Sequence, residues 1–393
     1  MYYAELFRKE LFDNCLPFWL NNGLDREYGG LLNCLDRTGK VYSTDKSVWM
    51  QGRAGWTFSY LYNNIRRDET YLEFAKSCID FAASKCIDPN DGRMYFTVTR
   101  DGRPLRKRRY YFSETFYIIA NAEYYKATNT RACLEEAEKY FDLVYDIYRD
   151  PACDPYKITP KYYAETRRTK SLAEPMILLN VTSVLRDANP ERKAYYDEVT
   201  DKLITDIKRF YKPEYHAMFE TLSIDDQVIS ESATCRVINP GHDMECSWFL
   251  LEEAKRRGDA ELVDLARTIF DNAFELGWDE RYGGIYYFKD VMGLPVEAYE
   301  HDMKLWWVHN EAMIASLTLY EVTALPRYLD IFKRVTEYSF SHFADPEYGE
   351  WYGYLRRDGL PTEPPCKGHT YKGPFHVPRM LAKCMTIAEK LGV

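Results

Sequence analysis

The hexapeptide Asp25-Arg26-Glu27-Tyr28-Gly29-Gly30 returns nearly unchanged as Asp279-Glu280-Arg281-Tyr282-Gly283-Gly284. Each copy runs into apolar residues and then a short Asp/Gly turn, Leu31 to Gly39 in the first and Ile285 to Gly293 in the second. Weaker copies are Asp88-Pro89-Asn90-Asp91-Gly92 and Asp345-Pro346-Glu347-Tyr348-Gly349, and two degenerate ones centre on Tyr156 and His216. Counted between Gly29, Gly92, Tyr156, His216, Gly283 and Gly349, the intervals are 63, 64, 60, 67 and 66 residues. A loop recurring at a fixed period between long helical stretches marks a repeat architecture. Six units of about 64 residues use nearly all 393, so the expected organisation is one domain over 1–393 rather than the two or three that length suggests.

Between the loops the chain reads as amphipathic helix. From Ala260 to Trp278, residues Leu262, Leu265, Ala266, Ile269, Phe270, Ala273 and Phe274 fall on one face of a 3.6-residue period. Tyr71, Phe74, Ala75, Cys78, Phe81 and Ala82 repeat the pattern before the second loop. The segments after each loop are less amphipathic and richer in Trp, Gly and Pro, as helices buried on most sides are. Helix, loop, helix repeated six times and closed in a ring is an all-α (α/α)6 barrel, with short β-hairpin-like loops at one end around the Asp/Gly turns. Closure buries the terminal helices without the special caps an open solenoid needs.

Aromatic residues make up 16% of the chain, with 34 Tyr, which suits a carbohydrate-lined cleft and equally the large core of a wide helical ring. A net charge of −9 argues against nucleic acid or an anionic membrane as partner. The run Arg106-Lys107-Arg108-Arg109 reads as a solvated loop. No apolar stretch reaches membrane-spanning length. The charged N-terminus is no signal peptide, and ten scattered cysteines without metal-ligand spacing read as reduced thiols. The expected setting is cytoplasmic.

Unusual residues gather some 20 to 28 positions after four of the anchors, near the starts of the inner helices: Trp49 to Trp56, Asn239 to Trp248, Lys304 to Ala312 and Lys372 to Arg379. Inner helices that enter a ring at the same end bring these segments to one mouth, where the largest pocket is expected. Asn239 suits an N-cap and Pro240 the first helical position. His242 then lies in the first turn, where the helix N-terminus disfavours an imidazolium, so it is expected to be neutral near pH 7; a histidine bonded to Glu245 in the core is the plainer reading. His376 and Arg379 form a similar pair at i and i+3. Trp306 and Trp307 suit stacking on a sugar face, or simple core. His216, His301 and His342 are assigned no role and His309 is undecided. A phosphate loop, a serine nucleophile elbow and a His-Glu-x-x-His zinc site are all missing from the sequence, and no metal is expected. Glu245, Glu311 and Asp243 leave two-carboxylate hydrolysis open, as they do a non-catalytic sugar-binding role.

On Asn239-Pro240-Gly241-His242 with Glu245, on Asp302-Met303-Lys304-Leu305-Trp306-Trp307 through Glu311, and on Lys372-Gly373-Pro374-Phe375-His376-Val377-Pro378-Arg379, the chain resembles the N-acylglucosamine 2-epimerase (renin-binding protein) family over essentially its full length. The resemblance implies an (α/α)6 barrel, generally a homodimer, that interconverts sugars epimeric at C2. It implies that His242 and His376 are the acid/base pair, that Arg53 holds the O1 and O2 region, and that Glu245, Glu311 and Arg379 surround the sugar. Relatives include cellobiose 2-epimerases and aldose–ketose isomerases, which typically carry a histidine at the start of the third inner helix. Here that segment reads Ser171-Leu172-Ala173-Glu174-Pro175-Met176. Its Pro-Met pair is similar to the N-acylglucosamine branch, with Met176 leaving apolar room for an N-acetyl group. The Trp that often precedes the Asp-Met-Lys-Leu-Trp-Trp run is His301 here. No cofactor is required for the implied chemistry; ATP serves several members as an activator that does not react. The implied reaction opens the pyranose, removes the C2 proton and returns one to the opposite face, with Arg53 and Arg379 stabilising the enediolate by about 3–4 kcal/mol each and each histidine contributing on the order of 10²–10⁴-fold. N-acetylglucosamine and N-acetylmannosamine are the expected pair, with an unsubstituted sugar such as mannose or cellobiose as the alternative.

Overall fold

The computed structural model describes residues 1–107, 110–154, 163 and 165–393. Thirteen α-helices lie among them. α1 (Tyr2–Lys9) and α2 (Leu16–Asn22) are joined through a π-helical segment, Glu10–Cys15, into one rod. Then follow α3 (Val48–Asn64), α4 (Glu69–Lys85), α5 (Phe112–Thr128), α6 (Arg131–Arg149), α7 (Ala173–Ala188) and α8 (Lys193–Lys208). The last five are α9 (Pro240–Arg257), α10 (Ala260–Gly277), α11 (Trp306–Thr323), α12 (Pro326–His342) and α13 (His376–Leu391). The odd-numbered helices from α3 to α13 pack side by side in sequence, and α13 returns to α3. Around them stand α4, α6, α8, α10, α12 and the α1–α2 rod, so the expected (α/α)6 barrel is the observed one.

The two rings differ in sequence for a physical reason. α10 buries Leu262, Ala266, Ile269, Phe270 and Ala273, one stripe, and leaves the rest to water. α11 is buried at every position from Trp306 to Leu319 and has no polar face. A helix enclosed on all sides must read as apolar or hydrogen-bonded throughout. No helix among the described residues is long and apolar enough to cross a membrane.

The recurring loop has one geometry. Gly29, Gly92, Gly283 and Gly349 have φ between +71° and +79°, a conformation that glycine adopts at no steric cost. His216, at the degenerate fourth anchor, also has φ +48°. The Tyr156 anchor and Arg108-Arg109 lie outside the described residues; Lys107 pairs with Asp88 at 2.8 Å and with Asp91. Expected hairpins form around Asp36–Gly39 and Thr99–Gly102.

Strand pairing also goes further than the hairpins expected. The strand that leads into α3, α7, α9 or α11 pairs with the loop of the next unit: Lys46–Ser47 with Tyr95–Val98, Thr169–Ser171 with Thr221–Ser223, Val237–Ile238 with Lys289–Asp290, and Lys304–Leu305 with Tyr354–Leu355. The sixth unit clasps the first, since Lys367 N–H donates to Leu35 O and Leu35 N–H to Gly368 O.

Electrostatics repeat with the loop. The Asp that opens it is buried and bound by a buried Lys of its own unit and an Arg from the next: Asp25 by Lys46 and Arg100, Asp279 by Lys304 and Arg357, Asp345 by Lys367 and Arg37. Arg37 comes from the first unit, so its 2.8 Å bond to Asp345 is an ionic closure of the ring. Burial opposes each carboxylate, yet these cations hold Asp25, Asp279 and Asp345 well below the usual carboxylate range. A side chain from the inner helix then caps the loop's next N–H: Gln51 accepts from Leu31, Glu114 from Met94 and His309 from Ile285. His309 is thereby a scaffold residue. Its Nδ1 faces Leu305 O at 2.7 Å, and burial pushes its imidazole down to about 3.

Candidate active site

Four inner helices bring their first turns to the mouth that carries the loops. Asn239 caps α9 as expected, accepting from Gly241 and His242 N–H through its side chain. Gly241 is required by close packing: a Cβ there would stand 2.6 Å from the Trp307 ring. Trp307 is thus free to lie between the two histidines, its ring centroid 5.0 Å from His242 and 5.8 Å from His376. Two imidazoles from α9 and α13, 134 positions apart in the chain, share one indole.

Their surroundings differ. His242 Nδ1 is 3.0 Å from the Glu220 carboxylate. Burial alone pulls this imidazole toward neutrality, but Glu220, with help from Glu245 and Glu311, outweighs it and raises the value above its ordinary 6.5. The direction expected from the helix N-terminus, a lowered value, is thus reversed by the carboxylate. A helix N-terminus costs an imidazolium 0.3–1 kcal/mol at a typical site, less than a close carboxylate returns, and Glu245 is not the bonding partner.

His376 Nδ1 is 2.8 Å from Glu311 Oε1, and Glu311 also accepts from Trp248 Nε1 at 2.7 Å and Arg379 Nη2 at 2.6 Å. Arg379 bridges onward to Glu245 at 2.7 Å. Burial first, then the charges of Arg379 and Arg53, hold His376 well below 6.5. The 2.8 Å approach to a carboxylate oxygen favours the proton on Nδ1 over an acceptor role toward Arg379 Nη2 at 3.3 Å, which leaves the lone pair on Nε2. Glu245, Glu311 and His376 present atoms close enough for a metal ion, but the Arg379 guanidinium already bonds both carboxylates.

Arg53 is half-buried on α3, its guanidinium over Phe116 at 4.3 Å and Phe375 at 4.9 Å. It donates to Tyr371 O at 3.3 Å, and no carboxylate lies within ion-pairing distance of it among the described residues. Burial pulls its value down, Arg379 adds to that, and Glu245 and Glu311 oppose; a guanidinium stays charged through such a shift. It is a cation with donors to spare.

Two expected sugar contacts are placed differently. Trp306 is 2% exposed and packs edge-on against Tyr354 and His376, so it backs the site, whereas Trp307 faces it. Met176 is buried in the first turn of α7 among core residues. A cavity of about 240 Å³ opens toward the opposite end of the barrel, with Trp248, Phe375 and Arg379 in its lining.

The approach to α13 is held by a departure from the repeat. Where the first and fifth loops have a second glycine, the sixth has Glu350, at φ +54°. This conformation costs a non-glycine residue about 1–2 kcal/mol. The fully buried carboxylate offsets that by accepting from Trp19 Nε1 at 2.6 Å, Trp351 N–H at 2.9 Å and Lys372 Nζ at 2.9 Å. Lys372 leads directly into Phe375 and His376.

Glu220 and the role of Trp248 escaped sequence reasoning. A signal existed for Glu220: it stands four residues after anchor His216, where the first, second and fifth units place Asn33, Phe96 and Tyr287.

The N-acylglucosamine 2-epimerase (GlcNAc 2-epimerase) family model matches residues 30–372. The chain belongs to this family. It is 38% identical over 384 residues to N-acylglucosamine 2-epimerase of Bos taurus, covering 96% of this chain and 90% of that protein. The corresponding Rattus norvegicus protein is 37% identical over 386 residues, again covering 96% and 90%. Among solved structures, cellobiose 2-epimerase from Spirochaeta thermophila DSM 6192 superposes with a TM-score of 0.84 at 25% identity, over 99% of this chain and 97% of that one.

Proposed function

We propose that this chain is an isomerase that interconverts N-acetylglucosamine and N-acetylmannosamine by proton transfer at C2 of the ring-opened sugar. The observation that carries the reading is a pair of histidines against one indole, each with a carboxylate at Nδ1, whose surroundings push them in opposite directions from 6.5. Paired titratable groups whose environments push them apart divide into acid and base. Neutral His376, with Nε2 unoccupied, takes the C2 proton. The carbonyl at C1 delocalises the charge as an enediolate, and Arg53 stabilises its oxygen. Protonated His242 returns a proton to the opposite face of C2. The step conserves protons: His376 ends charged and His242 neutral, the state that starts the reverse reaction.

The start of α7 carries Pro175-Met176 and no histidine, which supports the N-acyl substrate over mannose or cellobiose. The higher identity to N-acylglucosamine 2-epimerases points the same way. A two-carboxylate hydrolase is disfavoured because Glu245 and Glu311 are tied to the same guanidinium. The reading includes one catalytic domain over 1–393, a homodimer, and a cytoplasmic setting consistent with ten free cysteines. The proton transfers need no cofactor, and ATP enters only as an activator.

Incubation with N-acetylmannosamine in D2O tests this. Deuterium at C2 of the N-acetylglucosamine formed is the expected result. Exchange with mannose but with neither 2-acetamido sugar would replace the substrate assignment, and release of reducing ends from an oligosaccharide would replace the reaction.

A further inference from the structure

The 240 Å³ cavity at the far end of the barrel lies where the inner helices terminate: Asn64 closes α3, and Asp187 and Glu253 fall in the last turns of α7 and α9. Its walls are of two kinds. Trp56 and Tyr60 stack at 4.9 Å on one side and Trp248 lies against Phe249 at 4.3 Å on the other, giving flat apolar faces. Between them, Asn180, Ser183 and the Tyr60 hydroxyl line the space and make no hydrogen bond with any described residue. Flat aromatic faces with unused donors and acceptors between them match a small polyhydroxylated ring.

Charge selects among polar ligands. Lys383 is paired with Glu252 at 3.3 Å, Lys126 with Glu123 at 3.2 Å, and Glu253 with Arg186 at 2.7 Å. Helix C-termini converging on the cavity add partial negative charge. Among the described lining residues each cation, Arg379 with Glu245 and Glu311 included, already faces a carboxylate, so phosphate-bearing ligands are disfavoured and a neutral one fits.

The cavity is also connected to the catalytic end. Trp248 and Arg379 line it and both donate to Glu311, the carboxylate that orients His376. We propose that this far-end cavity is a second binding site for a neutral monosaccharide, separate from the catalytic mouth and sharing Trp248 and Arg379 with it. A ligand resting on Trp248 bears on the bond that positions His376.

The site is tested by counting sugars per chain, with no reliance on turnover. Wild-type protein is titrated with N-acetylglucosamine and, separately, with glucose by calorimetry and ligand-observed NMR, alongside Ser183→Phe, which fills the cavity, and Asn180→Leu, which removes hydrogen-bonding capacity at similar volume. The expected result is two sites per chain for N-acetylglucosamine, the second abolished in Ser183→Phe and weakened at least tenfold in Asn180→Leu, with the first unchanged. Glucose is expected at the far site in wild type, and inorganic phosphate should not compete. One site per chain in wild type, a second site undiminished in both variants, or displacement by phosphate would overturn the proposal. Loss of C2 exchange with two sites retained would instead sink the epimerase reading alone.

Discussion

His242 and His376 occupy the same place in their repeats, the first turn of an inner helix, and both meet a carboxylate at Nδ1, yet they are driven in opposite directions. Glu220 gives its charge to His242. Glu311 has already given its charge to Arg379 before His376 meets it. A carboxylate neutralised by a guanidinium still orients an imidazole but no longer stabilises its cation. On the proposed reading, acid and base are set by what stands behind each carboxylate, one residue further out than the histidines themselves.

Four substitutions probe that contrast from different corners of the site, and a fifth probes the scaffold beside it. The largest effect belongs to His376→Ala, expected to lower C2 exchange by about 10³-fold or more, within the range a general base supplies; circular dichroism should show the helices intact. His242→Ala is expected to match it, and a variant keeping more than a tenth of wild-type exchange would remove that histidine from the chemistry.

Arg379→Gln comes next. It frees Glu311 to act on His376 as Glu220 acts on His242, so the acid limb of the rate profile, which lies below 6.5, should move upward. A fall in rate of about 100-fold at neutral pH fits the loss of one buried charged donor. An unmoved acid limb would show that Arg379 does not set the charge of His376.

Glu220→Gln acts on the other corner. His242 loses the charge that raises it, and the alkaline limb, above 6.5 in wild type, should move downward with about a tenfold loss at pH 8. Linkage gives a second readout. A raised folded value contributes stability that is complete below the unfolded value near 6.5 and is lost as pH rises through the folded one. The variant's stability deficit should therefore be larger at pH 6 than at pH 9 in urea titrations, and a pH-independent deficit would contradict the pairing.

The smallest effect is expected for His309→Gln. Gln51 makes the equivalent loop bond in the first unit, so activity should change less than about threefold and stability by about 1 kcal/mol, the worth of one hydrogen bond. A collapse of activity would give His309 a chemical role that its partners Ile285 and Leu305 do not suggest.

What the sequence disclosed follows the same division. The repeat period, the ring and the mouth were legible because glycines with positive φ and helical periodicity are local requirements written at fixed spacing. Arg53, His242 and His376 were legible as polar residues in otherwise apolar helix starts. Their charge states were not, because Glu220 reaches His242 from the preceding loop and Arg379 reaches Glu311 across 68 positions. Trp306 and Trp307 are adjacent and identical in composition, and only the packing of α11 against α9 at Gly241 decides which faces the site. Glu350 hides a structural role in what reads as a degraded glycine.

Nitrogen-15 NMR of the histidine side chains across pH 5 to 9 tests the central contrast directly. The account predicts His242 protonated at pH 6.5 and titrating above it, with His376 neutral throughout, its proton on Nδ1. Finding His376 protonated at pH 6.5, or both rings titrating together, would contradict it.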